Sequence, residues 1–539
     1  MSRLIWPSLW EVPDAYGTGA RMKLSRRSLL SATLFGLLMP RAVFARASAV
    51  VTRERVDKYL PELDTLAGDV LKRTGVPGLS VAMVYKDKLI YLKGFGVKQA
   101  GKPELVNPDT IFQLASLSKP VASTVVAALA GDGLVAWDDP IIRHDPTFAM
   151  HDAWVTQNVT LRDMFSHRSG LPDHAGDALE DMGYDRTEIL HRLRYVRPDS
   201  GFRSRYAYTN FGFTAAAVAA AKAGGKSWED VSAERLYQML GMRNTSSRFA
   251  DFIASPNRAF GHVRRDGAWL AKYTRDPDAQ SPAGGVSSSA RDMAKWLRLQ
   301  LGRGTVDGRE LIKAALLDET HRPQIVSTPA ENPMVDRPAF YGLGWGVSYD
   351  EQGRIRWSHS GGFNLGAATC VNVLPIEQIG IVALTNTQPV GVPEAVCRSF
   401  LDLVLTGKVE RDWLGLFEQL LAKAMAPEYG TAVDYSKPPA RPSPALPAAA
   451  YAGAYRNDLF GAIEIARTDA GLVLKLGPKL DSFALLHFDR DVFAYQPVGE
   501  NAYGPSAVTF MAGADGKAKS VTIENLDVNG QGTFRRASG

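Results

Sequence analysis

Five prolines fall within the ten residues 438–447 of this 539-residue chain, at Pro438, Pro439, Pro442, Pro444 and Pro447. Proline fixes its own φ, lacks an N–H and pushes the preceding residue away from helical geometry. Neither a helix nor a central strand runs through such a stretch, so it reads as a semi-rigid linker. The chain is also too long for one ordinary domain. Its character changes at this point: residues 50–405 mix helical and strand patterns, 406–447 form a helical and Pro-rich linker, and 448–537 carry short strands only.

In the front unit, Leu79 to Tyr85 and Leu89 to Leu92 are β-rich runs separated by Lys86-Asp87-Lys88, the pattern of a hairpin. Ser116 to Ala130 and the Ala-dominated Thr209 to Ala223 read as helices. Ala367 to Leu374 and Ile379 to Leu384 read as strands, and Glu394 to Leu405 as a helix. The expected fold class is α+β, an antiparallel sheet with packed helices and a helical insert. In the last unit, Ile463 and Ile465 alternate with smaller or polar residues. Leu472 to Leu476 follows a turn at Asp469-Ala470-Gly471, and Ser506 to Met511 and Ser520 to Ile523 flank Asp515-Gly516. A small all-β, barrel-like domain is expected there.

The N-terminus reads Met22-Lys23-Leu24-Ser25-Arg26-Arg27, then apolar residues to Met39, then Ala45-Arg46-Ala47. A charged start, a short apolar run and an A-x-A site describe a secretory signal peptide over 1–47, with the effective start at Met22. The paired arginines point to the twin-arginine pathway. The apolar run is too short to cross a bilayer. The expected location is the periplasm or the exterior, with no stable membrane span after processing. The 62 basic residues nearly balance 57 acidic ones, and the body of the chain has no Lys/Arg run, so nucleic acid is not an expected partner. Two cysteines, Cys370 and Cys397, cannot build a disulfide framework or a Cys-based zinc site, and they read as buried free thiols in preference to a bridge.

Three short motifs carry chemistry. In Ser116-Leu117-Ser118-Lys119 the lysine lies three residues after the serine, on the same helix face, and the helix N-terminus offers free N–H groups to a developing oxyanion. In Tyr208-Thr209-Asn210 a tyrosine suited to proton relay stands beside an amide that can hold the lysine and a substrate. In His359-Ser360-Gly361-Gly362 the glycines let a substrate backbone approach a strand edge, and the Gly362 N–H can point into an oxyanion hole. Each motif alone has a bland explanation, such as an N-capped helix for the first. Their joint order is far more specific.

In that order the chain resembles the class C β-lactamase-like and penicillin-binding serine hydrolases, a family that includes D-peptidases and esterases. The resemblance covers about 50–405. It extends to Phe112 to Ser116, Thr160 to Pro172, Pro282 to Ser288 and Tyr341 to Trp345, while Tyr451 to Tyr455 is similar to lipocalin-like tails on some of these hydrolases. It implies a β-lactamase/transpeptidase-like fold and a covalent acyl-enzyme on Ser116. Lys119 and Tyr208 would be its proton-transfer partners, with the order of transfer between them left open. Asn210, His359, Ser360, Gly361 and Gly362 would bind substrate, and the N–H groups of Ser116 and Gly362 would form the oxyanion hole. The implied substrate is a D-amino-acid peptide, a cell-wall-derived peptide or a small ester. The alternative is a penicillin-binding or sensor protein that acylates without turnover. The family's β-lactamases carry lysine where this chain has His359, so only weak action on β-lactams is expected. No cofactor or metal is expected, because the nine histidines are scattered without an H-E-x-x-H, and no G-x-S-x-G suggests an α/β-hydrolase. His167 and His174 lie close in sequence but show no acidic partner at an obvious spacing. The C-terminal domain leaves room for a homo-oligomer.

Overall fold

The computed structural model describes residues 51–537, so the signal peptide expected over 1–47 lies outside the described residues. An eight-stranded antiparallel sheet organises the front unit. From edge to edge its strands are Lys88–Gly96, Gly78–Tyr85, Ile379–Thr385, Ala367–Leu374, Ile355–Phe363, Gly346–Tyr349, Ala339–Tyr341 and Ile325–Thr328. The expected hairpin turns through Lys86, whose φ is +54°.

Gly78–Tyr85 is buried along its whole length, which a strand shows only when both sheet faces are covered. Leu79, Val81 and Met83 point to one face, among Cys370, Ile381 and Phe400; Ala82 and Val84 point to the other. Helices Arg53–Tyr59, Glu62–Thr74, Val392–Thr406 and Trp413–Ala424 cover the first face. Cys370 and Cys397 sit there as buried free thiols. Ala290–Leu301 packs on the opposite face, beside Ser118–Gly131.

Behind Ser118–Gly131 lies the helical insert. At its centre Asn210–Ala223 is buried almost all round, and its many alanines let neighbouring helices close on it from every side. The segment Thr160 to Pro172 forms a short helix, Leu161–Phe165, begun by a capping box between Thr160 and Asp163. The Asp163 carboxylate is fully buried and bridges Arg168 and Arg203, tying the following turn to residues 199–205.

Beyond Ala424 the chain runs without regular structure as far as the turn Ala448–Tyr451. It then closes an eight-stranded barrel from Gly453–Asn457 to Thr533–Arg536. Tyr455, Ile463, Leu474, Phe510, Val521 and Phe534 are buried and pack the barrel's interior. It docks on the insert. Tyr184 donates to Phe460 O at 3.1 Å, Arg192 donates to Leu459 O at 2.9 Å, and Asp181 accepts from the backbone N–H groups of Glu500 (2.9 Å) and Asn501 (3.0 Å).

Candidate active site

Ser116 sits in a 3-10 turn, Ala115–Leu117, and the α-helix starts only at Ser118. The turn is strained: Ala115, just before the serine, has φ +49°, a left-handed conformation that a Cβ disfavours. The sheet holds it in place. Thr369 Oγ1 donates to Leu114 O at 2.7 Å, and Gly361 comes so near that a Cβ there would stand 2.0 Å from Leu114 O and 2.9 Å from Leu117 N.

Lys119, the second residue of that helix, is fully buried. Its Nζ lies 3.1 Å from Ser116 Oγ, 2.7 Å from Asn210 Oδ1 and 3.1 Å from Ala283 O. Burial holds this amine well below the ordinary lysine value, against the opposing pull of Asp177. Tyr208 precedes the helix Asn210–Ala223 and donates its phenol O–H to Ser116 Oγ at 2.8 Å. Burial pushes that phenol up, with the bond to Ser116 working the other way. The Tyr208 N–H is fixed on Asp173 Oδ1 at 2.6 Å.

Two further residues complete the network, and sequence reasoning missed both. Asp177 Oδ2 accepts from Asn210 Nδ2 at 2.9 Å, which turns the Asn210 oxygen toward Lys119, and from His174 Nδ1 at 2.8 Å. Burial works against a charged imidazole, yet the bond to Asp177 and the carboxylate's charge outweigh it and raise His174 to about 9. The acidic partner that His174 was expected to lack is therefore three residues away. The i,i+3 spacing was visible, but the chain reaches it only because His174 and Gly176 both take positive φ, +58° and +98°.

Of the third motif, Gly362 is exposed at the cavity and Gly361 supports the turn of Ser116. The expectation that His359 and Ser360 contact substrate is not met by the geometry. His359 is fully buried; its Nδ1 donates to Ser360 O at 2.7 Å and its Nε2 accepts from Tyr341 at 2.8 Å. Burial, then the nearby Lys119, holds its imidazole well below the ordinary value. Strand alternation sends Ser360 to the opposite sheet face, where its hydroxyl bonds buried Glu394.

The cavity over Ser116, about 150 Å³, is lined by Tyr208, Asn210 and Gly362 and by barrel residues Glu500, Asn501 and Tyr503. Arg275 stands at the seam, paired with Glu180 at 2.8 Å and facing Glu500 at 3.8 Å. Burial pushes both carboxyls up to about 7, against the pull of Arg275, and raises Asp181 beside them.

Comparison with known proteins places this geometry. The sequence model described as Beta-lactamase matches residues 55–406, and one described as a domain of unknown function (DUF3471) matches 437–536. An unguisins hydrolase of Aspergillus campestris is 28% identical over 62% of this chain, a match that spans 63% of the relative's own length. A second unguisins hydrolase, of Aspergillus violaceofuscus, is 25% identical over 74% of this chain and 75% of its own. Penicillin-binding protein 4 of Amycolatopsis lactamdurans is 26% identical over 58% and 81%. The octameric penicillin-binding protein homologue from Pyrococcus abyssi superposes with a TM-score of 0.56 at 17% identity, covering 88% of this chain and 99% of that one, a likeness of fold.

Proposed function

The chain belongs to the β-lactamase family, and from that premise we propose that it hydrolyses an amide or ester through an acyl-enzyme on Ser116. The observation that carries this reading is the placement of Ser116 Oγ between the Tyr208 phenol (2.8 Å) and the Lys119 amine (3.1 Å). A neutral amine has two N–H groups and one lone pair. Asn210 Oδ1 and Ala283 O engage the two donors, which leaves the lone pair for the Ser116 proton. Lys119 is thus the base of acylation. As Ser116 Oγ bonds to the substrate carbonyl carbon, the N–H groups of Ser116 and Gly362 receive the oxyanion. Tyr208, kept protonated by burial, donates to the departing nitrogen or oxygen and recovers a proton from the Lys119 ammonium. A water molecule then repeats the sequence against the ester and frees Ser116.

The same features disfavour β-lactams. His359 is buried and held well below the ordinary imidazole value, Arg275 is matched by Glu180 and Glu500, and His174 by Asp177, so among the described residues lining the cavity each cation already faces a carboxylate. A D-amino-acid peptide, a cell-wall-derived peptide or a small ester fits better. The signal-peptide pattern read over 1–47 supports action in the periplasm or outside the cell.

Intact mass of the wild-type protein mixed briefly with p-nitrophenyl acetate, beside Ser116→Ala, tests the reading. The expected result is an acetyl increment on the wild type alone that decays over many turnovers. Labelling of both proteins, or of neither, overturns it; a label that persists favours a penicillin-binding or sensor role.

A further inference from the structure

A second cavity, about 130 Å³, adjoins the first and lies between the insert, the linker and the barrel. The two share four wall residues: His174, Asp177, Asn501 and Tyr503. Beyond that shared wall the surface is largely apolar, with Leu179, Val196, Leu459, Phe460, Leu526 and Val528. Cavities of about this size with apolar walls take up a benzene-sized group. Asp173 and Glu428 also border it, with His174 as its only cationic lining residue, so an anionic occupant is disfavoured.

The shared wall has a further property. Asn501 Nδ2 is engaged by Asp181 Oδ2 at 2.9 Å, which leaves the carboxamide oxygen to accept. The Tyr503 oxygen accepts from Asn364 Nδ2 at 2.8 Å, which leaves its O–H to donate. One acceptor and one donor on the same shared wall complement the N–H and C=O of an amide.

We propose that this chamber is a second substrate subsite, which takes an apolar side chain of a peptide-like substrate while Asn501 and Tyr503 hold the adjoining amide. The proposal rests on the hydrolase reading and narrows it to peptides or peptide-like esters with a bulky apolar group near the scissile bond. Two residues of the barrel, not of the β-lactamase-like unit, then select the substrate. Small esters would react without using the chamber.

The test is calorimetric binding to full-length Ser116→Ala, which binds without acylation. The probe is N-acetyl-leucyl-phenylalanine amide, in its L,L and D,D forms, with N-acetyl-alanyl-alanine amide as the small comparison. One form of the larger probe is expected to bind at one site, about tenfold or more tighter than the small one. Val528→Trp, at a partly exposed rim position, fills the chamber, and Tyr503→Phe removes one hydroxyl. Each is expected to weaken the larger probe about tenfold or more, with melting temperature confirming the fold. Failure of both forms to bind, or binding that both substitutions leave within about twofold, overturns the proposal. The readout needs no acylation, so it is separable from the mass experiment: a chain that binds the probe yet never acylates would lose the hydrolase reading and keep the site.

Discussion

A lysine amine sealed from water carries the reaction only if it can exist uncharged, and Lys119 meets that condition through burial. Lys119→Arg keeps a cation of similar reach, but a guanidinium does not release its proton in a protein. Steady-state rates with p-nitrophenyl acetate should fall by about 10³ or more, and Tyr208→Phe should cost about 10²–10⁴. If the arginine variant keeps a tenth of the activity, the amine is not the base. The wild-type pH profile follows from the same directions. The rate should rise as Lys119 loses its proton, well below the ordinary lysine range, and show no alkaline fall from Tyr208, whose phenol is raised. Asp177 acts one step further out. In Asp177→Asn an amide nitrogen at the Oδ2 position faces the donors of both Asn210 and His174, and an amide oxygen there accepts from both only as a neutral group. Either way the contact that aims the Asn210 oxygen at Lys119 is weakened or lost. A drop of about tenfold or more in kcat, larger than the change in KM, is expected. A rise in KM with kcat unchanged would assign Asp177 to substrate binding instead.

The strand Ile355–Phe363 shows which parts of an element a sequence reveals. Its glycines marked a close approach, and the structure supplies the neighbour: the backbone of Leu114 and Leu117, against which Gly361 leans. Gly361→Ala should therefore cost about 2 kcal/mol and displace the turn of Ser116, lowering both melting temperature and esterase rate; a variant as stable and active as wild type would show that the turn tolerates the shift. The facing of His359 and Ser360 was also legible, since period-two alternation puts neighbours on opposite faces, but the motif was read as a block. Ser116, Lys119, Tyr208 and Asn210 could be found because each stands at or near a helix start, where short patterns are informative. His174 and Asp177 could not. Their contact depends on two left-handed residues in one loop, and only one of them is glycine. Even the start of the helix after Ser116 shifted by two residues, because the strained 3-10 turn precedes it.

At the scale of the whole molecule, nothing in the local sequence announced that the barrel would line the cavity at the nucleophile, for the seam is made by residues more than 130 apart, such as Asn364 with the Glu500 carbonyl and the Tyr503 hydroxyl. The seam there is electrostatically loaded. Glu180 and Glu500 titrate near 7 in the folded protein, above the ordinary carboxyl range. The folded state then holds more protons than the unfolded one between about pH 4.5 and 7, so these groups withdraw stability as pH rises through that window. Glu500→Gln imitates the protonated form. Relative to wild type it should gain in melting temperature between pH 5 and 8, while a difference independent of pH would remove Glu500 from the seam's titration. Because barrel residues line the cavity at Ser116, a chain severed at the prolines would, under the hydrolase reading, be a different catalyst and not a smaller one. The prolines also mark where inheritance could exchange one barrel for another, leaving Ser116 and its partners untouched. In that sense the tether is a point of modular exchange, through which one hydrolytic engine could be refitted to new cargo.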